Sequence, residues 1–219
     1  MHRLMMTSST YRQTSSVTPR QEQLDPGNRL LSRMPMRRME AEELRDSLLW
    51  IAGQLDETRF GPAEPVKVKP DGLVLSGKRR SVYVQQLRRQ PPSLLEIFDL
   101  PAMNPNCLQR SDSLVAPQAL HLLNDASVRE MAGQFADRVL RVAGDDPAKQ
   151  IQQVYWIAFS RPPSAEEQEA CLQILTELTE QWTKSLETES KPSKPEATRK
   201  ALTTLCHTIM NSAGFLYVD

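Results

Sequence analysis

The sequence predicts a mainly α fold, with about six to seven helices packed antiparallel and at most a small two- or three-stranded β element around residues 66–84. Three observations carry that expectation. Apolar side chains recur at helical spacing along several stretches beyond residue 37. From residue 117 onward, helix-start signals follow one another with short connections between them. Proline and glycine gather in one interior stretch, 56–80, the least helical part of the chain.

Residues 1–11, with Leu4, Met5 and Met6, read as the last turns of a helix beginning upstream. Residues 12–34 read as loop, with Asp25-Pro26-Gly27-Asn28 as a turn. A first long helix is expected from about Arg37 to Leu55. Its Leu44, Leu48, Ile51, Ala52 and Leu55 share a face, and Glu40, Glu42 and Glu43 lie in its first turns, where negative charge suits the helix dipole. Trp50 falls off that stripe and is expected to pack on a second element rather than serve a ligand. Val66–Lys69, the turn Pro70-Asp71-Gly72 and Leu73–Leu75 predict a hairpin, to which Arg80–Val84 can add a strand.

Pro91-Pro92 opens a short helix through Phe98. Residues 99–114 are irregular, and Pro117 starts a helix running to Leu123. Asp125 caps the next, over about 126–143, with Val128, Met131, Ala132, Phe135, Val139 and Val142 as its stripe. Asp146-Pro147 begins another, whose Ile151, Val154, Tyr155 and Ala158 face inward until Arg161-Pro162-Pro163. Ser164 and Glu167 form a capping box ahead of a helix carrying Cys171, Leu175, Leu178, Trp182 and Leu186. A polar segment, 187–196, is expected to be a mobile loop. The last helix, about 196–212, buries Ala201, Leu202, Leu205, Ile209 and Met210, and the apolar end Phe215–Val218 is expected to dock rather than fray.

The 219 residues are read as one domain spanning 1–219, N-terminally incomplete, with 56–80 irregular or hairpin. Basic and acidic side chains balance at 27 each, which removes a whole-chain pull toward nucleic acid. The local clusters Arg37-Arg38, Lys78-Arg79-Arg80 and Arg88-Arg89 all have acidic neighbours. No apolar run approaches the ~20 residues of a membrane span, and the start lacks a secretory apolar core, so the chain as written reads as cytoplasmic. Cys107, Cys171 and Cys206 include no Cys-x-x-Cys pair and no Cys-x-x-Cys-His haem-attachment signal, and their odd count argues against a complete disulfide framework. Cys171 and Cys206 lie on apolar helix faces and are expected to be buried small hydrophobes. His2, His121 and His207 have no metal-ligand spacing, so neither metal nor cofactor is expected.

The candidate site is the irregular segment around 98–110, which gathers Asp99, Asn104, Asn106, Cys107 and Arg110. Carboxylate, amide, thiol and guanidinium together can bind a polar ligand on a loop. The competing reading is structural: Asp and Asn close turns on local backbone N–H groups, while Arg110 ties the loop to a buried carboxylate. A nucleophilic Cys107 would need a base, and His121 is fourteen positions away on a helix. The carboxylates Glu40, Glu42, Glu43 and Asp46 raise glycosidic hydrolysis or cation binding. Their helical spacing favours a solvated face paired with Arg38 and Arg45.

An ordered set of phrases then resembles one family. It begins with His2-Arg3-Leu4, Thr10-Tyr11-Arg12-Gln13, Asp25-Pro26 and Asn28-Arg29-Leu30-Leu31, and continues through Arg45-Asp46-Ser47-Leu48-Leu49 and Arg79-Arg80-Ser81-Val82-Tyr83. The most specific run is Phe98-Asp99-Leu100-Pro101, Asn104-Pro105-Asn106-Cys107, Arg110 and Ala116-Pro117-Gln118-Ala119-Leu120; Arg161-Pro162-Pro163 and Phe215–Asp219 complete it. The order resembles the C-terminal portion of the planctomycete-specific module of unknown function called PSD one. Ser32 stands where that family shows Trp, and Ala213-Gly214 replaces a more polar pair. The resemblance implies an accessory module of exported or cell-surface proteins, accompanying an upstream or separate module that includes cytochrome c-like ones. The haem signature belongs to that other module and is not carried over. The expected function is therefore a non-catalytic interaction or structural role, with a hydrolase acting on a polysaccharide or other polar substrate as the alternative.

Overall fold

The computed structural model describes residues 1–101, 110, 113–188 and 194–218. Its elements run, in chain order, α1 (His2–Met6), α2 (Pro19–Leu24), β1 (Arg37–Arg38), α3 (Ala41–Ile51), β2 (Lys67–Val68), β3 (Val74–Leu75), a 3-10 turn at Ser81–Tyr83, α4 (Ser93–Ile97), α5 (Ala116–Asn124), α6 (Ala126–Ala143), α7 (Pro147–Phe159), α8 (Ala165–Thr188), α9 (Lys194–Met210), α10 (Ala213–Leu216) and β4 (Tyr217–Val218). The protein is mainly helical, with two small two-stranded antiparallel sheets among the described residues. It divides into two compact units, Met1–Met39 with Tyr217–Asp219, and Glu40–Leu216.

The smaller unit is organised by hydrogen bonds more than by a core. Thr18 and Gln21 close a capping box on α2, with Pro19 at the first helical position, where a missing N–H costs nothing. Asp25 then ends the helix. Its buried carboxylate accepts the backbone N–H groups of Arg29 and Leu30, both at 2.8 Å. This is the turn expected at 25–28. β1 pairs antiparallel with β4, Arg37 opposite Val218 and Arg38 opposite Tyr217. That pairing corrects the expected helix start. Arg37 and Arg38 are extended, and α3 begins only at Ala41.

In the larger unit, α6, α7, α8 and α9 pack on one another, and α9 lies against both α6 and α8. Phe135, Ala132 and Val139 of α6, Ile151 and Val154 of α7, and Ala201, Leu202 and Cys206 of α9 are wholly excluded from solvent. Asp125 caps α6 by accepting from Ser127 N and Val128 N, and Asp146 caps α7 through Ala148 N and Lys149 N. Gly144 ends α6 at φ +61, a conformation that glycine adopts without a Cβ clash. Some residues depart from the expected stripes: Val142 is largely exposed where α6 ends, while Ala136 on α6 and Gln150 and Ile157 on α7 are buried.

β2 and β3 form the expected hairpin, Lys67 opposite Leu75 and Val68 opposite Val74. Residues 80–84 do not extend it. Ser81 donates its N–H and hydroxyl to Asp46, and those bonds curl Ser81–Tyr83 into a 3-10 turn instead of a ladder. Phe215 is buried, and the terminal Tyr217–Val218 is tied into a strand, as the apolar end led one to expect. Within the expected loop at 187–196, α8 reaches Thr188 and α9 starts at Lys194, and 189–193 lie outside the described residues.

Candidate functional site

Asp99 follows α4 in a left-handed conformation, φ +67, that few residues other than glycine, Asn and Asp tolerate. Its carboxylate accepts from Ser113 N at 2.9 Å, Ser113 Oγ at 2.7 Å and Gln118 Nε2 at 3.3 Å. Gln118 is itself buried on α5, and its amide also donates to Ile97 O at 3.0 Å and to Ser113 Oγ at 3.1 Å. The side chains of Asp99, Ser113 and Gln118 thus form a polar knot joining the end of α4 to the start of α5.

Arg110 turns to a different partner. It grips Glu42 at the start of α3 in a two-pronged pair, Nη1 to Oε2 at 2.8 Å and Nη2 to Oε1 at 2.9 Å, and reaches Glu40 at 3.2 Å. This fork geometry suits a planar guanidinium and a carboxylate. The Arg110 bond holds the Glu42 carboxyl below its ordinary value despite partial burial. Among the described residues Asp99 and Arg110 thus bond to different partners. Asn104, Asn106 and Cys107 lie outside the described residues. His121 sits on α5, where burial pushes its pKa down from the usual imidazole value. Cys171 and Cys206 are buried free thiols, as expected, and burial pushes both up.

A second polar cluster was hidden in the run read as a solvated acidic face. Arg45 is almost wholly buried and donates to Ser76 Oγ (2.7 Å), Gly77 O (2.6 Å), Arg79 O (2.9 Å), Ser81 Oγ (3.1 Å) and Asp46 Oδ1 (3.2 Å). It clamps the 76–81 segment onto α3. Nothing in helical spacing alone distinguishes this inward arginine from one in water, because its partners are loop carbonyls some thirty residues away.

A third grouping forms an open recess of about 350 Å³ lined by Trp50, Gly53, Leu55, Glu57, Arg138 and Arg141. Arg138 of α6 stacks on the Trp50 ring at 5.0 Å and donates to Trp50 O at 2.7 Å and Ile51 O at 3.2 Å, covering the carbonyl end of α3. Trp50 packs on a second element, as its position off the stripe suggested, yet it stays 45% exposed. The sequence signal for this recess was that off-stripe tryptophan, together with two arginines three apart on α6.

Among the described residues no group of three or more His, Cys, Asp and Glu side chains comes together to hold a metal ion. Nor is any described helix long and apolar enough to cross a membrane. Compared with known proteins, residues 1–175 match the family PSD1, described as "Protein of unknown function (DUF1553)". No curated protein and no solved structure matches the chain.

Proposed function

The chain belongs to the PSD1 family of proteins of unknown function, and from that premise we propose that it is a non-catalytic interaction or structural module, an accessory to an exported, planctomycete-type assembly. Its partner is an upstream or separate module, cytochrome c-like modules among them, and its working place is outside the cytoplasm or at the cell surface. The observation that carries the reading is the bonding of Asp99 and Arg110. A catalytic carboxylate and guanidinium would be expected to line a common cleft with groups open to substrate. Here Asp99 is braced by Ser113 and Gln118, and Arg110 by Glu42. Both side chains act as struts.

The test pairs stability with turnover. Asp99→Asn keeps the shape but weakens the acceptor for Ser113 and Gln118, and is expected to cost about 1–3 kcal/mol in a urea titration. The purified wild-type chain is expected to release no reducing sugar from neutral or acidic polysaccharides. It should also form a stoichiometric complex with a purified cytochrome c-like module from the same genome in sedimentation velocity. Polysaccharide cleavage that disappears in Asp99→Asn, with unchanged stability, would overturn the reading in favour of a hydrolase. Failure to bind any such module would remove the partner.

A further inference from the structure

The recess beside Trp50 has no part in the bonding of Asp99 and Arg110, and it lies wholly within the larger unit. We propose that it binds an acidic sugar, a ring bearing one carboxylate and several hydroxyls of the uronate class, and this stands independently of the accessory role argued above. Each wall selects one feature of such a ligand. At about 350 Å³ the recess is at the lower end of the range for small-molecule sites, enough for a single ring. Trp50, 45% exposed, gives the recess apolar ring surface, of the kind that packs against the C–H groups of a pyranose, beside the Arg138 guanidinium stacked on it.

The charges define the ligand further. Arg138 and Arg141 supply two guanidinium groups and Glu57 one carboxylate, so the lining is singly positive. A monoanion matches that balance, whereas the second charge of a phosphate would face Glu57 without compensation. Glu57 is better matched to hydroxyl donors, which a sugar acid carries and an aromatic acid lacks. Among the described residues neither Arg141 nor Glu57 is tied up by a hydrogen bond. Arg138 is different. Its bonds to the Trp50 and Ile51 carbonyls offset the negative end of α3, which alone would repel an anion, and they fix the guanidinium against the indole before any ligand arrives.

The experiment uses the whole chain, titrated with sodium glucuronate while tryptophan fluorescence and binding heat are followed, with glucose and inorganic phosphate at matched ionic strength as comparators. Saturable binding of glucuronate at millimolar concentration is expected, with glucose and phosphate each at least about tenfold weaker. Arg141→Ser, at an exposed position with no bonds of its own to lose, should weaken glucuronate by about tenfold or more, and Trp50→Leu likewise. Trp156→Phe, on α7 and outside the recess, should leave it unchanged. A trigalacturonate arm separates the sources: tighter binding than the monomer assigns a polymer end, weaker binding the free acid. Absence of saturable glucuronate binding, glucose binding equally well, or an Arg141→Ser protein that binds like wild type would each overturn the site. Should Trp50→Leu disturb folding, Arg141→Ser decides alone.

Discussion

Arg45 shows how much one side chain can organise. Its guanidinium reaches two hydroxyls, two backbone carbonyls and one carboxylate while almost no part of it touches water. Burial pulls its pKa down, against the neighbouring Asp46 charge, yet arginine stays charged where lysine would not. Arg45→Ala removes every bond at once and leaves Asp46 without its buried partner, so a loss of about 3–5 kcal/mol is expected in urea unfolding. Arg45→Lys should recover less than half of that, because a single ammonium cannot span acceptors fixed for a fork. Glu167 illustrates a surface residue with a pH signature. Its bonds to Arg161, both at 2.7 Å, and to Ser164 N hold its pKa near 2 against an ordinary 4.5. A carboxyl depressed on folding stabilises the protein fully above its unfolded value and loses that contribution as pH falls through the folded one. Between pH 4.5 and about 2 the wild type should therefore lose stability that Glu167→Gln never had. Glutamine still accepts from Ser164 N, so the cap survives and only the ion pair is read. Because that pair is exposed, the difference at neutral pH should be about 0.5–1 kcal/mol, shrinking in acid when thermal melts are run across the window.

The loop element 56–84 depends on a close approach that glycine permits. A Cβ at Gly77 would fall inside the Glu64 carboxylate, which itself accepts from Lys78 N at 3.2 Å and Arg79 N at 3.0 Å. Gly77→Ala is expected to push that carboxylate aside and cost about 1–3 kcal/mol. In a Glu64→Ala background the same substitution should cost far less, and a double-mutant cycle measures the coupling. This element also marks the limit of what sequence periodicity reveals. The helices over 126–143, 147–159 and 165–188 were legible because each pairs an apolar stripe with a local cap from Asp125, Asp146 or Ser164. The hairpin was legible from its Pro70-Asp71-Gly72 turn. The extended Arg37–Arg38 was not, because what removes it from the helix is Tyr217–Val218 at the far end of the chain. Nor was the turn at Ser81–Tyr83, which is bent by Asp46. At the candidate site the polar side chains of an irregular stretch singled out Asp99 and Arg110, but their distinct partners, Ser113 with Gln118 and Glu42 with Glu40, follow from long-range packing that no local pattern encodes.

At the level of the whole molecule, the two units differ in what holds them. The larger unit contains nearly all of the excluded apolar side chains, whereas in residues 1–39 Met39 is the one buried apolar side chain. Leu4, Leu24, Leu30 and Leu31 there are all exposed. Segments with few buried contacts open at low free energy while a packed core stays closed. The smaller unit should therefore exchange its amides far faster than α6 and α9. Asp25 is the place to test this, since its carboxylate fixes Arg29 N and Leu30 N, and Arg33 donates to Asp25 O and Pro26 O across the same turn. Asp25→Ala is expected to abolish hydrogen-exchange protection at Arg29 and Leu30 while moving the main melting transition by about 1 °C or less, because a local opening does not draw on the core. A melting transition that instead falls by about 5 °C or more would mean that residues 1–39 unfold together with the larger unit. The stability of that unit could not then be ascribed to its own apolar core.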